Sequence, residues 1–325
     1  MNGYFQKRNK NIYMQYAIKL ILWGEDYILK ATIYTPTVTI FNDLGEFDFE
    51  GNRKVIEYLI EGGVDGLVPL GSTGEFTTLS LSEKKEFIKF YVETVNERVQ
   101  VLPGTGCMDY DKTVELSNYA LSLGVKGVLI IPPYYYALSQ DEGFKYYDKI
   151  AENVNGDVYI YNFKARTGFD ISPETVLKLA KKNKNIKGMK DSTADIAHTR
   201  KVLLKVLPER PDFEMYSGFD DQFIPNVIAG GRGCISAISN IYPKLWSEWV
   251  QAVNNNKFDT IQTIGNKIDK LMELYDVQSN FSLLFKKLMV EEGVEINTNT
   301  LFPFENIKND NYEKALRIVK GANNN

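Results

Sequence analysis

Residues 158–190 read VYIYNFKARTGFDISPETVLKLAKKNKNIKGMK, and the fold is decided in this stretch. Val158–Asn162 is rich in β-branched and aromatic residues, and alternation puts Tyr159 and Tyr161 on one face. A helical pattern follows over Pro173–Lys182, with proline near its first position after Ser172. A second strand, Ile186–Lys190, closes the unit. Strand, helix and strand in this order form a βαβ unit of a parallel sheet. The same alternation continues on both sides. Upstream lie strands Ala31–Phe41, Gly66–Gly71, Val99–Leu102 and Gly127–Ile131, the last stopped by Pro132-Pro133. Their helices are Phe49–Gly63, Leu81–Arg98 with Ser82 as N-cap, Lys112–Leu123 ending at Gly124, and Glu142–Asn153. Downstream come helix Ile196–Leu207, strand Phe213–Ser217, helix Asp221–Ala229, strand Gly233–Ala237 and helix Pro243–Val253. Eight strands alternating with eight helices predict an α/β fold, a (β/α)₈ TIM barrel over 31–256, ahead of an open doubly wound sheet.

Beyond the eighth helix only helical periodicity remains, as in Ile261, Ile264, Ile268, Leu271 and Leu274. Residues 257–325 are therefore expected to form a C-terminal helical appendage, with the asparagines at 254–256 and 323–325 as solvated linker and tail. Residues 1–30 form an N-terminal extension. Its apolar run Ala17–Trp23, broken by Lys19, is too short for a bilayer and lacks a cleavage site. Trp23-Gly24-Glu25 needs a purine-rich coding stretch resembling a ribosome-binding sequence. Leu29 then stands where an alternative start codon would fall, and the first 28 residues read as upstream sequence; the other reading is a genuine N-terminal helix.

Composition limits the chemistry. The 325 residues carry a net charge of −4, so no basic field draws the chain to nucleic acid or membrane. Two distant cysteines, Cys107 and Cys234, fit a reducing, cytoplasmic setting and no disulfide framework. One histidine, His198, argues against a histidine-rich metal site, and its place past the loop after strand six makes it a helix residue. No metal and no cofactor is expected. Acid–base chemistry then falls to Tyr, Lys, Asp or Glu, and there are 20 tyrosines.

In a barrel the chemistry comes from the C-terminal ends of the strands. Gly71-Ser72-Thr73-Gly74-Glu75 after strand two can offer backbone N–H groups and two hydroxyls to a carboxylate, or can be a capped tight turn. Pro132-Pro133-Tyr134-Tyr135-Tyr136 after strand four places three phenols in a polar cleft or an interface. Tyr161, near the end of strand five, faces the barrel interior or its mouth, and Arg166 in the next loop can fork onto a carboxylate or form a surface ion pair. Lys190 ends strand six. Burial favours a neutral amine, which suits imine formation with a ketone; a rim lysine with a solvated head is the alternative. A 2-keto acid offers both a carboxylate and a ketone.

The ordered motifs GSTGE (71–75), PPYYY (132–136), YIYN with ARTG (159–168) and GMKDS (188–192) resemble the dihydrodipicolinate synthase/N-acetylneuraminate lyase family over about Ala31–Phe304. The resemblance implies class I aldolases that hold pyruvate as a Schiff base without metal. It implies Lys190 as the imine-forming lysine, Tyr161 as the proton shuttle and Ser72 and Thr73 as the carboxylate-binding hydroxyls. It further implies Tyr135 as a phenol lent across a subunit interface, Ile235 as backbone lining the pyruvate site, and Gly218 near the second substrate. Arg166 resembles the arginine that meets aspartate semialdehyde in the synthases. Phe163-Lys164 departs from the proline-containing segment of the synthases. GMKDS followed by Ile196-Ala197-His198-Thr199, PPYYY and Gly218-Phe219-Asp220-Asp221 look more like 2-keto-3-deoxy-sugar-acid aldolases. The expected function is pyruvate-dependent C–C bond making or cleavage, with such a sugar acid first, and dihydrodipicolinate synthase or neuraminate lyase as alternatives. A non-catalytic keto-acid-binding barrel is the reading of another class. The resemblance implies a homo-oligomer, tetramer or dimer, with small-molecule substrates.

Overall fold

The computed structural model describes residues 30–304 and 307–323, so the readings of residues 1–28 and of the last two asparagines lie outside the described residues. The strands are β1 (Thr32–Thr35), β2 (Gly66–Leu67), β3 (Gln100–Val101), β4 (Val128–Ile130), β5 (Val158–Asn162), β6 (Ile186–Asp191), β7 (Glu214–Ser217) and β8 (Gly233–Ile235). All pair in parallel, in the order β3-β2-β1-β8-β7-β6-β5-β4. The circle is closed between the ends of that series by the bridge Gly104↔Leu129, where the Leu129 N–H donates to the Pro103 carbonyl at 2.9 Å. The result is the (β/α)₈ barrel. The helices of the ring are α1 (Phe49–Glu61), α2 (Leu81–Val95), α3 (Tyr110–Ser122), α4 (Gln140–Asn153), α5 (Pro173–Lys182), α6 (Ile196–Val206), α7 (Phe223–Ile228) and α8 (Pro243–Asn254).

Several strands are shorter than their apolar runs. β1 stops at Thr35 because Pro36 has no N–H for the ladder. Pro69 follows β2 in the same way. Helix α2 begins at Leu81 as expected. Its N-cap is Ser80, not Ser82, because Ser80 and Glu83 stand at capping-box spacing and satisfy each other's backbone N–H.

The bottom of the barrel is filled by phenols. Tyr34, Tyr159 and Tyr216 meet inside it, with ring centroids 5.3 Å apart for Tyr34–Tyr216 and 6.4 Å for Tyr159–Tyr216. Space for them exists because glycines face them: a Cβ on Gly66 would lie 2.2 Å from the Tyr34 ring. The Tyr159 hydroxyl donates to Glu214 at 2.7 Å, and Lys126 Nζ pairs with the same carboxylate at 2.9 Å. Burial works to raise the Glu214 pKa, but these partners hold it below the ordinary value.

The C-terminal region adds α9 (Phe258–Leu271), α10 (Phe281–Glu291) and α11 (Asn309–Asn323). The asparagine run before α9 is more than linker. Asn254 ends α8, accepts from the Ala31 N–H at 2.7 Å and donates to the Ala31 carbonyl at 3.0 Å, which ties the last barrel helix to the first strand. No helix among the described residues is long and apolar enough to cross a membrane.

Candidate active site

A cavity of about 250 Å³ opens at the C-terminal ends of the strands. It lies just under the range of roughly 300–1,000 Å³ that drug-sized ligands occupy, and so suits a ligand of few heavy atoms. Ser72, Thr73, Tyr161, Arg166, Lys190, Gly218 and Ile235 all line it.

Strand alternation places the central pair. Tyr161 and Lys190 are register partners on β5 and β6, and both point inward. Lys190 is 5% exposed, and its Nζ lies 4.6 Å from the Tyr161 ring centroid. The amine faces that ring, and no carboxylate stands within ion-pair reach of it among the described residues. The Tyr161 hydroxyl reaches across to the Ser72 hydroxyl at 3.4 Å. Ser72–Gly74 form a single 3₁₀ turn capped by Gly71, closed by the Gly74 N–H on the Gly71 carbonyl at 2.9 Å. The Ser72 and Thr73 N–H groups precede that first hydrogen bond and lack an acceptor within the turn.

The next residue after Lys190 fixes the strand end from behind. Asp191 is fully buried and accepts from Asn162 Nδ2 at 2.8 Å and Thr199 Oγ1 at 2.7 Å. His198 meets the same carboxylate through Nδ1 at 2.8 Å, while its Nε2 reaches the Ile171 carbonyl at 2.8 Å. Burial pushes the imidazole pKa down, yet Asp191, the Ile171 carbonyl and nearby Asp170 more than offset this and hold it at about 9. At neutral pH both ring nitrogens therefore donate. The histidine is a structural cation outside the cavity, on helix α6 as the sequence position implies.

Arg166 stands on a single helical turn, Lys164–Thr167. Its guanidinium lies over the Phe163 ring at 5.9 Å and donates through Nη2 to the Ser279 carbonyl at 3.3 Å. It forms no ion pair among the described residues, so the surface salt-bridge reading does not hold. Gly218 lets the loop after β7 close on the loop after β6, since a Cβ there would lie 1.9 Å from Ser192 Oγ. Tyr135 is placed elsewhere. Its side chain is 81% exposed, beside exposed Tyr136, and it does not line this chain's own cavity.

The cavity also has walls beyond the residues singled out in the strand-end motifs. Pro36 lies outside the quoted motifs, while Phe163, Ser192 and Phe219 lie within the quoted segments but carried no assigned role. Tyr275, Ser279 and Phe281 come from the C-terminal region, so the appendage is part of the site. Tyr275 is anchored by donating to Asp220 at 2.7 Å. Burial drives the Asp220 carboxyl up to about 6, although Ser236 and Tyr275 bond to it. No group of three His, Cys, Asp or Glu side chains among the described residues is arranged to hold a metal ion.

Comparison with known proteins agrees with this geometry. Residues 30–322 match the dihydrodipicolinate synthetase family. An Escherichia coli protein with the provisional name 2-dehydro-3-deoxy-D-gluconate aldolase YagE is 34% identical over 271 residues, 83% of this chain and 90% of that one. The 4-hydroxy-tetrahydrodipicolinate synthase of Methanococcus maripaludis is 36% identical over 248 residues, 76% of this chain and 84% of that one. The crystal structure of YagE in complex with pyruvate superposes with a TM-score of 0.87 at 31% identity, covering 90% of this chain and 98% of that one. The chain belongs to the dihydrodipicolinate synthetase family of class I, pyruvate-dependent lyases.

Proposed function

We propose that the cavity binds pyruvate as a Schiff base on Lys190 and joins it to, or releases it from, an aldehyde to make or cleave a 2-keto-3-deoxy sugar acid. The observation that carries the chemistry is the buried Lys190 amine, free of any carboxylate and facing Tyr161, Ser72 and Thr73 in one cavity. Lys190 Nζ attacks the C2 ketone, and the carbinolamine loses water to give a protonated imine. Tyr161 carries protons to and from the departing oxygen, with the Ser72 hydroxyl as relay. Loss of a C3 proton gives the enamine, whose C3 forms the new bond to the aldehyde carbon while the aldehyde oxygen takes up a proton. Hydrolysis of the imine frees the product and the amine. Cleavage is the same sequence in reverse, with the imine nitrogen as electron sink.

The sugar-acid reading is supported by the likeness to YagE and by the serines Ser192 and Ser279 in the cavity wall, which suit a polyhydroxy aldehyde. Arg166 supports the second reading, a dihydrodipicolinate synthase, because it brings a cation without a carboxylate partner to the cavity wall. Arg166→Ala separates them. A synthase loses most of its activity with aspartate semialdehyde, whereas a sugar-acid aldolase keeps activity with a neutral aldose. The two free, buried thiols fit a cytoplasmic setting, and exposed Tyr135 fits a homo-oligomer in which it reaches a second copy's site. Borohydride reduction with pyruvate, read by peptide mass spectrometry, tests the whole reading. A reduced pyruvyl adduct on Lys190 is expected. Folded protein with no adduct on any lysine overturns it in favour of a binding barrel.

A further inference from the structure

The GSTGE turn ends on a residue that the chemistry above does not use. Glu75 holds φ +56° and ψ +31°, the left-handed region that glycine favours and a glutamate adopts only when its surroundings impose it. The surroundings here come from the far end of the chain. Lys286 on α10, fully buried, donates from Nζ to Glu75 Oε1 at 2.6 Å and to the Asn299 carbonyl at 2.7 Å. Its charge also lies 5.0 Å from the Phe41 ring centroid. Thr300 donates to the second carboxylate oxygen, Glu75 Oε2. Both carboxylate oxygens are thus engaged by the C-terminal region, and the Glu75 side chain is almost wholly out of water.

A buried ion pair is a poor source of stability, because desolvating the two charges offsets most of their attraction. Its value lies in geometry, since two opposite charges in a dry site tolerate little displacement. Here the pair grips the residue that follows Ser72-Thr73-Gly74. The turn is further restrained by Thr39 Oγ1, which donates to the Gly74 carbonyl at 2.8 Å, and by Thr78 Oγ1, which donates to the Glu75 carbonyl at 3.0 Å. We infer that Glu75 and Lys286 are positioning residues for pyruvate, through which the C-terminal region holds the Ser72–Thr73 turn in the shape that receives the substrate carboxylate. The inference rests on the reading of Ser72, Thr73 and Lys190 given above.

The test is a borohydride-trapping titration on the full chain with the double variant Glu75→Gln/Lys286→Met, which removes both buried charges together. Pyruvate is the probe, and acetone, a ketone without a carboxylate, is the control. With pyruvate, half-saturation is expected to move up by about tenfold or more, with the adduct still on Lys190 and its final extent unchanged. The rate of acetone trapping is expected to stay within about twofold of wild type. Half-saturation with pyruvate that does not move overturns the inference. So does an equal loss with both ketones, which marks general damage to the site. Thr300→Val removes the second anchor without stranding a charge. It is expected to shift pyruvate in the same direction by a smaller factor, and it decides the question if the double variant does not accumulate in folded form. Wild-type protein that forms no adduct is a separate result, which removes the Schiff-base reading itself.

Discussion

Tyr161 serves two purposes with two parts of one side chain. Its ring supports the Lys190 amine, and its hydroxyl faces Ser72. Tyr161→Phe keeps the ring and deletes the hydroxyl. We expect kcat to fall by about 10²–10³, the loss of one proton-transfer group, while the melting temperature hardly moves. Steady-state kinetics and thermal denaturation on the same preparation check both halves. Lys190 was legible as a candidate because a lysine ending an apolar, glycine-containing strand points into the mouth. Its lack of a carboxylate partner was not legible, since the acid side chains nearby in sequence turn elsewhere. Adjacent Asp191 alternates to the outer face and is taken up by His198, Thr199 and Asn162.

At the scale of elements, β6 is held by what surrounds it. A Cβ on Gly188 would lie 2.3 Å from the Glu214 carbonyl oxygen and 2.7 Å from the Tyr159 ring. Backbone cannot yield there, so Gly188→Ala is expected to cost at least about 3 kcal/mol, the upper part of the overpacking range. Chemical denaturation measures it, and a wild-type midpoint for that variant would refute the packing argument. The outer face of β6 supplies a pH dependence. The folded pKa of His198 is raised from 6.5 to about 9, so its bond to Asp191 stabilises fully below the unfolded value and is lost as pH rises through the folded one. The contribution is at most about 3 kcal/mol. Thermal stability is expected to decline between about pH 6.5 and 9, and His198→Gln to flatten that part of the profile. An unchanged slope in the variant would remove His198 as its source.

At the scale of the molecule, the site is assembled from parts far apart in the chain. Tyr275, Ser279 and Phe281 wall the cavity, and Lys286 grips the turn after β2. Tyr135 is exposed and absent from its own cavity, and the proposed homo-oligomer would carry it to a second copy's site. Tyr135→Phe and Lys190→Ala, each weakly active alone, are expected to regain activity when mixed after reversible dissociation, since one subunit of the pair then offers an intact lysine and its neighbour an intact phenol. Activity assays on the mixture decide it. No recovery from a mixed assembly verified by mass would place the action of Tyr135 elsewhere.

The periodicity of the sequence was enough for the barrel: the eight strand and helix segments recur at regular spacing, and each marks itself by local pattern, as β5 and α5 do residue for residue. The strand-end motifs were enough to single out Tyr161 and Lys190 as residues that line one cavity, because alternation along a strand dictates which side chains point inward. Only the tertiary structure brought in Tyr275, Phe281 and Lys286. Their region shows helical periodicity alone, and a helix pattern reports which face is buried but not what it is buried against. The same limit applies to Asn254, which reads as a solvated linker and instead ties α8 to Ala31. Contacts between distant segments depend on where the barrel closes, and closure is a property of all eight strands together.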